Sequence, residues 1–184
     1  TNQYDNIANY KGHYETTGKE IWEQTEGKID GFICASGTGG TIAGVSNALK
    51  EKNKNIKVYL SDPKGSCLYN YIKTKEFKSE GNSITEGIGS SRATKNFEKA
   101  LIDDAYSIDD TTALTVLFDL IEQEGLSLGT SSGINVAGAI KFAQELGPNK
   151  TIVTILCDKS DRYQGKLFNK KFLMDKNLPY PKWL

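Results

Sequence analysis

Residues Cys34 to Gly44 read CASGTGGTIAG, with four glycines and two threonines in eleven positions. An apolar run precedes this loop and an amphipathic stretch follows it. Glycine turns the backbone through positive φ and lets an anion come close to the amides. A helix beginning there aims its free N–H groups and positive dipole end at the loop. The hydroxyls of Thr38 and Thr41 add donors, so the chemistry asks for a phosphate. A dinucleotide fingerprint would need its third glycine at position 42, which is Ile42. No Gly-Lys-Ser/Thr follows, so the loop is not a nucleoside-triphosphate loop. Asp62 ends the next strand where a ribose-binding acid would stand, which keeps a nicotinamide-dependent oxidoreductase open. A glycine turn with no ligand is the plain alternative.

Three more stretches carry reactive or conformationally special residues. GTSSG at 129–133 fits the Gly-x-Ser-x-Gly pattern at Ser131. A hydrolytic serine of that kind needs a histidine later in the chain. The single histidine, His13, lies far upstream and reads as a surface or capping residue, which argues against a serine hydrolase. Ser131 is then either a hydroxyl presented at a strand-to-helix turn or, with Ser132, a helix N-cap. EGIG at 86–89 is a glycine turn, and CDKSDRY at 157–163 follows an apolar run. Cys157 is expected in the sheet core as an inert thiol. Asp103 and Asp104 read as solvated, and Asp109 or Asp110 as the cap of the next helix.

Elements of matching period must hold these loops. The spacing predicts a helix over 16–26, a buried strand over 29–36, and an amphipathic helix in TIAGVSNALKEKN with Ile42, Val45 and Leu49 on one face. A strand over 56–62 ends at Asp62-Pro63. The pattern weakens from 63 to about 100. A strand at 103–109, a helix stopped by Gly125, a short strand, and a helix from the 129–133 turn to about 146 follow. KTIVTILCD, 150–158, reads as the clearest buried strand, and the tail after 160 as irregular. Near-continuous apolar strands alternating with helices indicate an α/β fold on a parallel sheet, in which ligands bind outside the carboxyl ends of the strands.

Composition narrows the classes. At 184 residues and 38% hydrophobic, the chain can bury one core. Lys plus Arg and Asp plus Glu both number 23, so no basic excess points to nucleic acid or an anionic membrane. No apolar run is long enough for a bilayer, and no leader is visible. Three dispersed cysteines without a Cys-x-x-Cys suggest reduced thiols, a cytoplasmic setting and no structural zinc. The polar start at Thr1 suggests a processed chain or a piece of a longer protein.

In combination and order, NQYDNIANYKGHYETTGKEIW, GTGGTIAGVS, TEGIGSS, GTSSGINVAGAI and TILCDKSDRY resemble the pyridoxal-phosphate enzymes of the cysteine synthase family over nearly the whole chain. That resemblance implies a three-layer, mostly parallel twisted sheet with helices on both faces, like the β subunit of tryptophan synthase (fold type II). It implies that Gly37, Thr38, Gly39, Gly40 and Thr41 cradle the phosphate of pyridoxal 5′-phosphate. Ser131 would meet the pyridine nitrogen, and Gly87, Ile88 and Gly89 would line the substrate pocket. A neutral hydroxyl does not force a proton onto the ring, which suits loss of a β leaving group and its replacement by a nucleophile. The implied reaction is replacement of the acetate of O-acetylserine by sulfide. Cystathionine synthesis, serine or threonine deamination, and a non-catalytic regulatory module are the alternatives.

Two departures stand out. The family's last loop reads close to Ser-Gly-x-Arg-Tyr, where this chain has Lys159-Ser160-Asp161-Arg162-Tyr163. The family's Schiff-base lysine, on a segment like Ser-x-Lys-Asp-Arg, and its Thr-Ser-Gly-Asn-Thr-Gly substrate loop have no match here. Residues 1–184 are therefore expected to form most of the larger, cofactor-binding domain, with the N-terminal small domain that carries the lysine supplied from outside this chain. The implied partners are that missing part, an amino-acid substrate, a second copy in a homodimer, and serine acetyltransferase.

Overall fold

The computed structural model describes all 184 residues. Four parallel strands form one sheet: β1 (Gly31–Cys34), β2 (Lys57–Pro63), β3 (Asp104–Ile108) and β4 (Ile152–Val153). Their spatial order is β3-β2-β1-β4. The chain winds outward from β1 through β2 to β3, then crosses back to place β4 on the other side of β1. The order reverses at β1, so the crevice between the carboxyl ends of β1 and β4 is the switch point where such sheets bind ligands.

Alternation along the strands assigns the two faces. Phe32, Cys34, Val58 and Leu60 pack with Ile42, Val45 and Leu49 of α3 (Gly40–Lys52). The intervening Ile33 and Tyr59 pack with Phe142 of α6 (Thr130–Leu146) on the opposite face. Helices thus cover both faces, as expected. Ser61 Oγ donates to the Ile134 carbonyl at 2.7 Å, and a side chain at Gly138 would strike Ser61, so α6 lies hard against β2. Outer helices α1 (Ala8–Glu15) and α2 (Thr17–Gln24) rest on α3, and α5 (Asp110–Glu124) rests on α6. Short α4 (Leu68–Thr74) follows β2, and α7 (Gln164–Leu167) and α8 (Lys170–Asp175) complete the chain.

Several expectations are corrected. The helix expected over 16–26 begins at 17 and is preceded by α1, which buries no residue of its own. The strand expected over 150–158 pairs with β1 only at Gly31↔Ile152 and Phe32↔Val153. Beyond Val153 the chain swings away from β1, and Leu156 is exposed. The short strand before GTSSG is a single antiparallel bridge, Leu128↔Lys159. The tail is ordered into a 3-10 turn and two helices, held because Leu167 and Leu173 are buried with Leu114 and Leu117 of α5.

Candidate cofactor site

All four special loops meet at the switch point. The loop after β1 turns at Gly39 (φ +84°), which is the N-cap of α3 and provides no side-chain cap. A Cβ at Gly39 would fall 2.5–2.7 Å from Phe97 N, Cα and Cβ, and one at Gly40 would collide with Asn9. Thr38 is fixed from three sides. Its Oγ1 accepts from Asn9 Nδ2 at 3.0 Å and from Gly40 N at 3.2 Å, and its carbonyl accepts from Thr94 Oγ1 at 2.6 Å. Thr41 Oγ1 lies 3.3 Å from His13 Nε2, whose other nitrogen lies 3.0 Å from Thr17 Oγ1. Burial lowers the His13 pKa, so the neutral ring is favoured behind the loop.

EGIG closes against this loop. Gly89 N donates to the Ser36 carbonyl at 2.9 Å, and a Cβ at Gly37 would meet the Gly87 carbonyl oxygen. Gly87 and Gly89 both have positive φ, and a side chain at Gly87 would meet nothing within 4 Å. A polar cavity of about 390 Å³ opens beside Ile88 and Gly89, walled by Lys64, Ser66, Ser83 and Ser90 among others. From the tail, Lys166 pairs with Glu86 at 2.5 Å and donates to the Ile84 carbonyl, tying the last loop to this one.

The third wall is the start of α6. Its N-cap is Gly129, with no side-chain cap bond, so neither Ser131 nor Ser132 caps the helix. Ser131 sits buried in the first turn of an uncapped helix, its hydroxyl beside the Cys157 sulfur. Cys157 is exposed at the crevice rather than placed in the sheet core, because β4 has already parted from β1, but its partly desolvated thiol is pushed up in pKa and so stays protonated. Gly129 N donates to the Asp158 carbonyl at 2.9 Å, joining GTSSG to CDKSDRY. Asp158 accepts from Tyr163 Oη at 2.8 Å, and burial followed by this bond pushes the phenol up to about 12.

The departure at 159–160 costs the backbone nothing. Lys159 and Ser160 both have negative φ, so no glycine is required, and Ser160 Oγ lies 2.6 Å from Ser127 Oγ. Asp62 is wholly buried, its Oδ2 accepts from Tyr69 N at 2.8 Å, and burial raises its carboxyl to about 6, so it is not placed to read a ribose. Asp109 is the N-cap of α5, accepting from Thr112 N at 2.8 Å, whereas Asp110 holds Ser83 and Ile84 below EGIG.

Two helices therefore point uncapped first turns into one crevice, and two hydroxyls there, Ser36 Oγ and Thr130 Oγ1, are buried without a partner. A phosphorylated polar ring satisfies that donor set. Residues 1–158 match the family described as Pyridoxal-phosphate dependent enzyme. The chain belongs to that family. Its cofactor is pyridoxal phosphate and its fold is type II, in agreement with the sheet described above. Among similar proteins, Cysteine synthase 1 of Neurospora crassa is 47% identical over 97% of this chain and 49% of its own length. The cysteine synthase of Dictyostelium discoideum is 45% identical over 96% of this chain and 49% of its own length. The cystathionine beta-synthase of Rattus norvegicus is 36% identical over 95% of this chain and 31% of its own. The chain spans about half the length of the cysteine synthases it matches.

Sequence reasoning missed Asn135. It is 1% exposed on α6 and bonds to both strand exits. The available signal was a polar residue one turn after Ser131, on the same helix face.

Proposed function

We propose that this chain supplies the cofactor-holding part of a cysteine synthase, which replaces the acetate of O-acetylserine with sulfide to give cysteine. The observation that carries the reading is the convergence of the 37–41, 87–89 and 129–133 loops at the β1/β4 switch point. The cysteine synthase names of the relatives above support the choice of reaction.

In this reading Gly37, Thr38, Gly39, Gly40 and Thr41 hold the phosphate against the first turn of α3. Ser131, a neutral hydroxyl, donates to the unprotonated ring nitrogen. Gly87, Ile88 and Gly89 flank the substrate, where the absence of side chains at 87 and 89 leaves room for its leaving group. When bound, pyridoxal phosphate supplies the electron sink for bond breaking at the substrate's α-carbon. The chain's residues contribute grip, orientation and a polar wall.

The Schiff-base lysine belongs, in this reading, to the part of the enzyme outside these residues. The lysines around the crevice support that: Lys64 and Lys159 are exposed, and Lys166 is engaged by Glu86. The isolated chain would then form no lysine-linked chromophore and no cysteine. The reading extends to a cytoplasmic homodimer able to bind serine acetyltransferase.

Assaying the complete, cofactor-loaded enzyme with O-acetylserine plus sulfide tests the reading against serine plus homocysteine. Faster cysteine formation is expected. Preferential formation of cystathionine, the reading favoured by the rat relative's name, would overturn it.

A further inference from the structure

We propose that Asn135 is a positioning residue that sets the spacing between the phosphate-gripping loop and the ring-nitrogen serine. The inference rests on the cofactor reading above. Beyond Phe32 and Val153 the backbone ladder between β1 and β4 ends, and side chains span the widening gap. Asn135 is the one that touches both strand exits and also belongs to α6. Its Oδ1 accepts from Ala35 N at 2.6 Å, two residues before Gly37. Its Nδ2 donates to the Ile155 carbonyl at 2.7 Å and reaches the Cys157 sulfur at 3.5 Å. Ser131 stands one helical turn earlier on the same face, so the amide links the root of the phosphate loop to the helix that presents Ser131. Ser132 Oγ, accepting from Cys157 N at 3.1 Å, fixes the same helix to the β4 exit. Thr154 Oγ1 also crosses the gap, donating to the Ile33 carbonyl at 2.7 Å, but has no bond to α6.

A spacer has a signature that a merely supporting residue lacks. Inorganic phosphate contacts one grip and is indifferent to the distance between the two. A ligand carrying both phosphate and pyridine needs that distance. The probes are inorganic phosphate and 4′-deoxypyridoxine 5′-phosphate, which has no aldehyde and needs no lysine. Affinities are measured by titration calorimetry on the protein freed of cofactor, for wild type, Asn135→Leu, the milder Asn135→Ser and Thr154→Val. The expected result is a loss of about tenfold or more for the pyridine ligand in the Asn135 variants. Their phosphate affinity stays within about twofold, and Thr154→Val changes neither. Asn135→Ser carries the test where Asn135→Leu does not fold. Equal losses for both probes, or no loss for either, would overturn the spacer role while leaving the cofactor reading intact. Failure of the wild type to bind the pyridine ligand would overturn both.

Discussion

Replacing Gly39 by alanine probes the loop on which the site depends, and two separable costs follow from its surroundings. The backbone there has φ +84°, a left-handed conformation that costs an L-residue about 1–2 kcal/mol. The new Cβ would also lie within 2.7 Å of Phe97 N, Cα and Cβ, backbone that cannot swing aside. Overpacking of that kind adds about 1–3 kcal/mol, for a sum of about 2–5 kcal/mol. The displacement is passed on. Phe97 N donates to Thr94 Oγ1, which in turn donates to the Thr38 carbonyl, so phosphate affinity falls as well. Gly87→Ala is the internal reference, because it has φ +77° and nothing within 4 Å of the added methyl. It is expected to show the conformational cost alone. In a chain of this length each kcal/mol lowers Tm by about 2–4 °C. Thermal unfolding followed by circular dichroism should therefore place Gly39→Ala about 2–12 °C below Gly87→Ala, the collision's share of about 1–3 kcal/mol. Equal melting temperatures for the two variants would refute the claim that Phe97 presses on the turn.

Other expectations follow from the same structure. Phe142 is fully buried and stacks on Tyr59 at 4.2 Å between ring centroids, so Phe142→Ala should cost about 3–5 kcal/mol in a denaturant titration. Asp109→Ala removes the cap of α5 and should cost about 1 kcal/mol. Because the bond from Thr112 holds the Asp109 carboxyl below its usual range, that contribution is present above the unfolded-state pKa and disappears as pH falls through the lowered value. Asp62 works in the opposite direction. Its carboxyl is raised from 3.8 to about 6, so the folded state binds the extra proton and stability declines as pH rises between them, by about 3 kcal/mol in all. Asp62→Asn should flatten that slope in denaturation curves at pH 4 and pH 7, and an unchanged slope would contradict the assignment.

Much of the site was legible because its loops carry residues with few other uses. GTGGT announced a strand end, EGIG a glycine turn and GTSSG a helix start, and helices α3, α5 and α6 announced themselves by apolar period. What was misread has physical causes. An apolar run such as TIVTILC has the same composition whether or not its backbone is paired, so β4 looked long, although only Ile152 and Val153 join β1. Helix α1 offered no apolar stripe because it docks by close approach: a side chain at Gly44 of α3 would strike His13 Cβ and the backbone of Tyr10 and Tyr14, and α1 buries no residue of its own. Helix α4 buries only Leu68, too little to show a period. The tail looked irregular because its buried residues, Leu167 and Leu173, sit in helices of four and six residues. Asn135 was invisible because an asparagine within a helix is usually a surface residue, and only its two strand partners, 100 and 20 positions away, reveal its use.

The central claim is that one crevice grips both ends of a phosphorylated pyridine. A crystal structure of the protein with 4′-deoxypyridoxine 5′-phosphate tests it most directly. The account predicts the phosphate against residues 37–41 at the first turn of α3, with the ring nitrogen within hydrogen-bond reach of Ser131 Oγ. Density for the ligand anywhere else, or a phosphate seated on α3 with its ring turned away from Ser131, would contradict it.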